Sequence, residues 1–137
     1  MTLYVYKAKV VEVIDGDTLE LMIDLGLGVF RKERVRLFGI DAPEMRFQKG
    51  KEARSYLINL IDAAKLIEQK ATGQEPTFVV KTIKDRTDKY GRYLVMLYDS
   101  IDDIPVDIDV LIHAKSLDRG SFNWQMVLGN HAVERYW

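Results

Sequence analysis

The first 38 residues hold three apolar, β-branched stretches, each ended by turn chemistry, and this pattern constrains the fold more than any other feature. The stretches are Tyr4 to Ile14, Thr18 to Leu25 and Val29 to Phe38. Asp15 with Gly16 makes the first break and Gly26 with Gly28 the second, since glycine tolerates positive φ and aspartate bonds its own downstream backbone. Within the third stretch Arg34 and Arg36 alternate with Val35 and Leu37, the period of a strand with two unlike faces. A three-stranded meander is therefore expected. From Gly50 to Ile67 the spacing changes: Ala53, Leu57, Leu60, Ile61, Ala64 and Ile67 recur every three or four residues, as on an amphipathic helix.

Thr77 to Lys84 and Tyr93 to Tyr98 return to strand-like alternation, with a polar loop from Asp85 to Arg92 between them. Asp99 to Gly120 is broken by Pro105 and alternates Val106, Ile108 and Val110 with Asp107 and Asp109, so an extra strand or hairpin is expected there. Phe122 to Leu128 reads as a short helix with Ser121 as its N-cap. The sum is an α+β fold: a five-stranded OB-type barrel with a helix after the third strand and a short C-terminal helix. It forms one domain over residues 1–137, with an insertion at about 99–120.

Composition closes several alternatives. A chain of 137 residues buries enough surface for one core without staples. The absence of cysteine removes disulfides and thiolate zinc sites. No run of about 18 apolar residues exists to form a membrane helix, so no membrane partner is expected. Met1 to Tyr6 is too short for a secretory core, which leaves a cytoplasmic protein or the mature form of a secreted one. Twenty Lys and Arg against 21 Asp and Glu give a net charge of -1, which excludes a protein that holds nucleic acid by bulk positive charge. A monomer is the expected state.

Chemistry concentrates in two acidic turns and two arginines. Asp15 and Asp17 occupy the first turn, and Asp41 and Glu44 flank Pro43 just after the third strand. Such carboxylates are ordinary turn formers, or, if the loops converge, the oxygen shell of a hard cation. Arg36 lies on the third strand and Arg92 closes the loop Arg86 to Arg92. Each is either a surface ion-pair partner or a planar fork for two phosphate oxygens. Together, carboxylates, a divalent metal and two such forks suit phosphodiester hydrolysis. His113 and His131 have no nucleophile to serve. Trp124 and Trp137 are packing residues or base-stacking ones, and Asp102, Asp103, Asp107 and Asp109 form a solvated acidic face or a second metal site.

Three segments in register, Ile14 to Thr18, Arg36 with Asp41 to Glu44, and the unbroken run Arg86 to Arg92, resemble staphylococcal nuclease and its homologues, the thermonuclease family. The resemblance covers most of Val10 to Tyr98. It implies that Asp17 and Asp41 bind Ca²⁺ through side chains and Ala42 through its carbonyl, where the family more often has Thr. Asp15 would support them. It also implies that Glu44 serves the attacking water, as base or as positioning group, and that Arg36 and Arg92 clamp the phosphate. Lys89 and Tyr90 would contact a terminal phosphate and a nucleotide ring, and Tyr136 would stack on a base. The implied activity is Ca²⁺-dependent hydrolysis of DNA and RNA with little sequence preference, leaving 3′-phosphate ends; the alternative is a catalytically inactive barrel that binds nucleic acid or peptide. The sequence stops at Trp137 without the family's last long helix, an absence that bears on stability more than on chemistry unless the insertion covers the core surface that helix would have covered.

Overall fold

The computed structural model describes residues 3–73 and 77–136, without the side chains of 71, 72 and 84–86. Trp137 and the side chain of Arg86, both named above, lie outside the described residues. The barrel consists of β1 (Val5–Val13), β2 (Thr18–Gly26), β3 (Val29–Leu37), β5 (Phe78–Thr87) and β6 (Tyr93–Tyr98), closed in the order β1-β2-β3-β6-β5. All pairs are antiparallel except β3 with β6. A two-residue strand β4 (Ile40–Asp41) pairs with β7 (Val133–Glu134) beside the barrel. This is the OB-type barrel expected, with a helix after β3 and a short C-terminal helix.

Alternation along the strands fills the interior. Leu19 and Leu21 from β2, Val35 and Leu37 from β3, Phe78 and Val80 from β5, and Val95 and Leu97 from β6 are all fully buried. Helix α1 (Gln48–Thr72) lays Ala53, Leu57 and Ile61 on this core, and it runs longer than the apolar spacing indicated. Glu68, Gln69 and Lys70 favour helix without needing burial, and the helix stops only at Gly73, whose φ of 70° is open to glycine. Strand β5 likewise continues to Thr87, so the loop before β6 is shorter than expected.

The insertion corrects the sequence reading. It holds a single 3₁₀ turn at Ile101–Asp103 and helix α2 (Ile108–His113), with no strand or hairpin. The alternation was misleading because Val106 and Val110 are exposed; the residues that bury are Ile108 and Ile112, four apart, on one helical face. With Leu117 they join the main core. Helix α3 (Phe122–Leu128) begins as expected, with Ser121 Oγ accepting from the Trp124 amide at 3.1 Å. Behind its cap, Asn123 is fully buried: its Oδ1 accepts from Leu97 N, and its Nδ2 donates to Phe38 O and Val95 O. This side chain ties α3 to the end of β3 that carries Arg36.

Candidate functional site

The turn between β1 and β2 folds back on itself, with Ile14 N donating to Thr18 O and Asp17 N to Asp15 Oδ1 at 3.0 Å. Gly16 in this turn lacks a side chain for a steric reason: a Cβ there would sit 2.7 Å from Ala42 Cβ and 2.8 Å from Ala53 Cβ. Small residues at all three positions let the two acidic turns meet on the start of α1. Their contact is direct, since the Ala42 amide donates to Asp17 Oδ2 at 2.9 Å.

Arg36 stands opposite Thr18 on β2 and Leu94 on β6, buried in the barrel wall. Its Nη2 lies 3.4 Å from Asp17 Oδ2 and 3.2 Å from Asp41 Oδ1, so two carboxylates from different turns share one nitrogen. Thr18 Oγ1 donates to Asp17 Oδ1 and accepts from Arg92 Nη1 at 2.9 Å. Asp88 holds Arg92 from the other side, accepting from its Nε at 2.7 Å and from its amide. Against the opposing effect of burial, those bonds keep Asp88 below the usual carboxylate range. Asp17 goes the other way. Burial first, and then the neighbouring Asp15 carboxyl, push it up to about 6, even though the Ala42 amide and Arg36 pull it down.

The ten residues to which the resemblance assigns a role, namely Asp15, Asp17, Arg36, Asp41, Ala42, Glu44, Lys89, Tyr90, Arg92 and Tyr136, line one cavity of about 670 Å³. Glu44 is the most loosely held: it is exposed and pairs with Arg46 at 2.6 Å. Tyr90 takes the side chains of Lys89 and Arg92 against its ring, each 5.1 Å from the centroid. Arg135, missed by sequence reasoning, lines the same cavity, with Nη1 3.3 Å from Asp41 Oδ2. Its only sequence signal is a basic residue beside Tyr136. Neither histidine lines the cavity; His131 stacks on Tyr56 at 4.4 Å. From the acidic run, Asp109 turns to the buried Lys81 at 3.1 Å.

The donor set suits a hard cation. It is all oxygen, and Asp17 is a buried carboxyl whose raised pKa marks negative charge with too little compensation. Among the described residues no group of three or more acidic or histidine side chains is placed to hold a metal ion. The cavity is lined by five carboxylates and four cationic side chains, and a divalent ion would turn that balance positive.

A family model for staphylococcal nuclease homologues matches residues 34–127. Among curated proteins, the chain is 34% identical over 88 residues to protein ParB of Escherichia coli, covering 64% of this chain and 39% of ParB. It is 30% identical over 106 residues to the uncharacterized protein MJ1439 of Methanocaldococcus jannaschii, covering 68% of this chain and 48% of that one. The chain thus spans half or less of the length of these curated relatives. No helix among the described residues is long and apolar enough to cross a membrane. With its closed five-stranded barrel, its helix after β3 and a family match over most of its length, the chain belongs to the staphylococcal nuclease homologue family.

Proposed function

We propose that this domain is a Ca²⁺-dependent phosphodiesterase that hydrolyses DNA and RNA with little sequence preference and leaves 3′-phosphate ends. The observation that carries the reading is the convergence of two carboxylates from separate turns and two partly or fully buried arginines on one cavity. Asp17, Asp41 and the Ala42 carbonyl hold the ion, with Asp15 fixing the turn through the Asp17 amide. When bound, calcium would supply a Lewis acid for a phosphoryl oxygen and would lower the pKa of nearby water.

The protein's own groups do the rest. Glu44 leaves its exposed pair with Arg46 and takes a proton from the water that attacks phosphorus. Arg36 and Arg92 stabilise charge that develops on the phosphoryl oxygens, and their fixed partners hold them ready without reorganisation. The 5′-oxygen leaves beside Arg92 as the phosphorus–oxygen bond breaks and takes a proton from solvent water, so the phosphate stays on the 3′ side. Lys89 and Tyr90 meet a terminal phosphate and a nucleotide ring, and Tyr136 offers a ring for stacking.

Incubation with plasmid and with RNA in Ca²⁺, in Mg²⁺ and in EDTA, followed by analysis of product ends, tests this. Cleavage in Ca²⁺ with 3′-phosphate ends and none in EDTA is expected. Absence of cleavage in all three would overturn the enzyme reading and leave an inactive binding barrel.

A further inference from the structure

Two stretches far apart in sequence reach the cavity with the same pattern, a basic residue followed by tyrosine. Lys89 and Tyr90 come from the β5–β6 turn, and Arg135 and Tyr136 follow β7. The second pair is firmly seated. The Arg135 amide donates to Gly39 O at 2.9 Å, extending the β4–β7 ladder. The Tyr136 ring meets Phe38 edge-on at 5.5 Å, and its hydroxyl donates to Glu134 Oε2 at 3.1 Å. Gly39, at a φ of 78°, permits this approach, because a Cβ there would lie 2.7 Å from Tyr136 Cε1.

The contacts across the cavity floor run in sequence. Arg92 meets Thr18, Thr18 meets Asp17, Asp17 meets Arg36, Arg36 meets Asp41, and Asp41 meets Arg135. Lys89 and Tyr90 adjoin Arg92 and Tyr136 adjoins Arg135, so Thr18, Asp17, Arg36 and Asp41 intervene between the two basic–aromatic pairs along these contacts. The arginine side chains are graded in exposure: 10% for Arg36, 21% for Arg92 and 55% for Arg135. A solvent-exposed pair such as Arg135 with Asp41 is weak, so the fork turns from a carboxylate to a phosphate at little cost.

We infer that Arg135 is a substrate-positioning residue. It grips the phosphate neighbouring the scissile one, on the side away from Lys89 and Tyr90, so that a single strand lies across the cavity with a nucleotide held on each side. This rests on the phosphodiesterase reading of the same cavity.

The test compares wild type, Arg135→Ala, Arg135→Lys and Lys89→Ala, all checked for equal thermal unfolding. Steady-state cleavage of a single-stranded oligonucleotide in Ca²⁺ gives KM and kcat. Fluorescence anisotropy with the same oligonucleotide in EDTA, over a series of salt concentrations, gives affinity without cleavage. Arg135→Ala should raise KM about ten- to thirtyfold with kcat nearly unchanged, as loss of a charge-assisted bond requires. It should also flatten the salt slope by about 0.7, the share of one phosphate on a single strand. Arg135→Lys should restore the slope but only part of the affinity, since an ammonium lacks the fork. A neutral methylphosphonate moved along the strand should reveal one position whose penalty vanishes in Arg135→Ala and persists in Lys89→Ala. Unchanged KM and slope, or a fall in kcat alone, would overturn the inference. If the wild type cleaves nothing in Ca²⁺, the phosphodiesterase reading fails, while the anisotropy arm still decides whether Arg135 grips phosphate.

Discussion

Arg36 and Arg92 reach the cavity from the barrel wall, each held by at least two partners, whereas Glu44 and Lys89 reach it from turns. Arg36 sits on β3 between strands on both sides, and Arg92, at the entry to β6, is fixed by Asp88 and Thr18. Glu44 has an exposed ion pair with Arg46, and Lys89 lies against the exposed ring of Tyr90. The floor is therefore preorganised and the rim adaptable. Transition-state stabilisation needs dipoles that do not move when charge develops, while a rim that meets different nucleotides works by adjusting to them.

The sharpest way to break this contrast is to cut one residue from each part. Arg92→Ala should lower kcat by about 10²- to 10³-fold, the usual loss for a fixed transition-state donor. Lys89→Ala should leave kcat nearly intact and raise KM only about three- to tenfold, as one exposed phosphate contact would. Equal effects on kcat, measured by steady-state cleavage under identical conditions, would erase the distinction between floor and rim.

A smaller effect is expected where floor and rim join. Gly50, in the first turn of α1, packs so closely that a Cβ would overlap the Glu44 carbonyl oxygen and lie 2.8 Å from Pro43 O. Both are backbone atoms, so no side chain can swing aside. Gly50→Ala should displace the Glu44 turn, lowering kcat about tenfold and stability by about 1–3 kcal/mol, despite alanine's better helix propensity. Cleavage kinetics and thermal unfolding check it. A variant more stable than wild type and equally active would show that the turn is not held by this packing.

The sequence exposed the floor because its signals are local. The Asp15–Gly16 turn, the strand through Arg36 and the Ser121 cap each depend on a few adjacent residues, and each stands in the structure, although Val35, Arg36 and Leu37 are all buried rather than alternating in exposure. What escaped depends on distance along the chain. The β4–β7 ladder joins Asp41 to Val133, and only that pairing brings Arg135 to Asp41. Asn123 looked like any helical residue, yet it satisfies backbone groups of Leu97, Phe38 and Val95 in the core. In the insertion, alternation misled because two of the three apolar positions face solvent. Period alone does not show which apolar residues bury.

The proposed calcium site depends on Asp17, the carboxylate that joins the two acidic turns through the Ala42 amide. In the ion-free protein Asp17 has its pKa raised to about 6 from an ordinary 3.8, so its protonated form favours the fold. That contribution is fully present below about pH 4 and is lost as the pH rises through 6, whereas an ion needs the ionised carboxylate. Calorimetric titration of the ion-free protein with CaCl₂, for wild type and Asp17→Asn at pH 7.5 and pH 5, tests this directly. One Ca²⁺ per wild-type chain is expected at pH 7.5, with binding at least about tenfold weaker at pH 5 and near-complete loss in Asp17→Asn. Binding of equal strength in Asp17→Asn, or no binding by the wild type at pH 7.5, would contradict it.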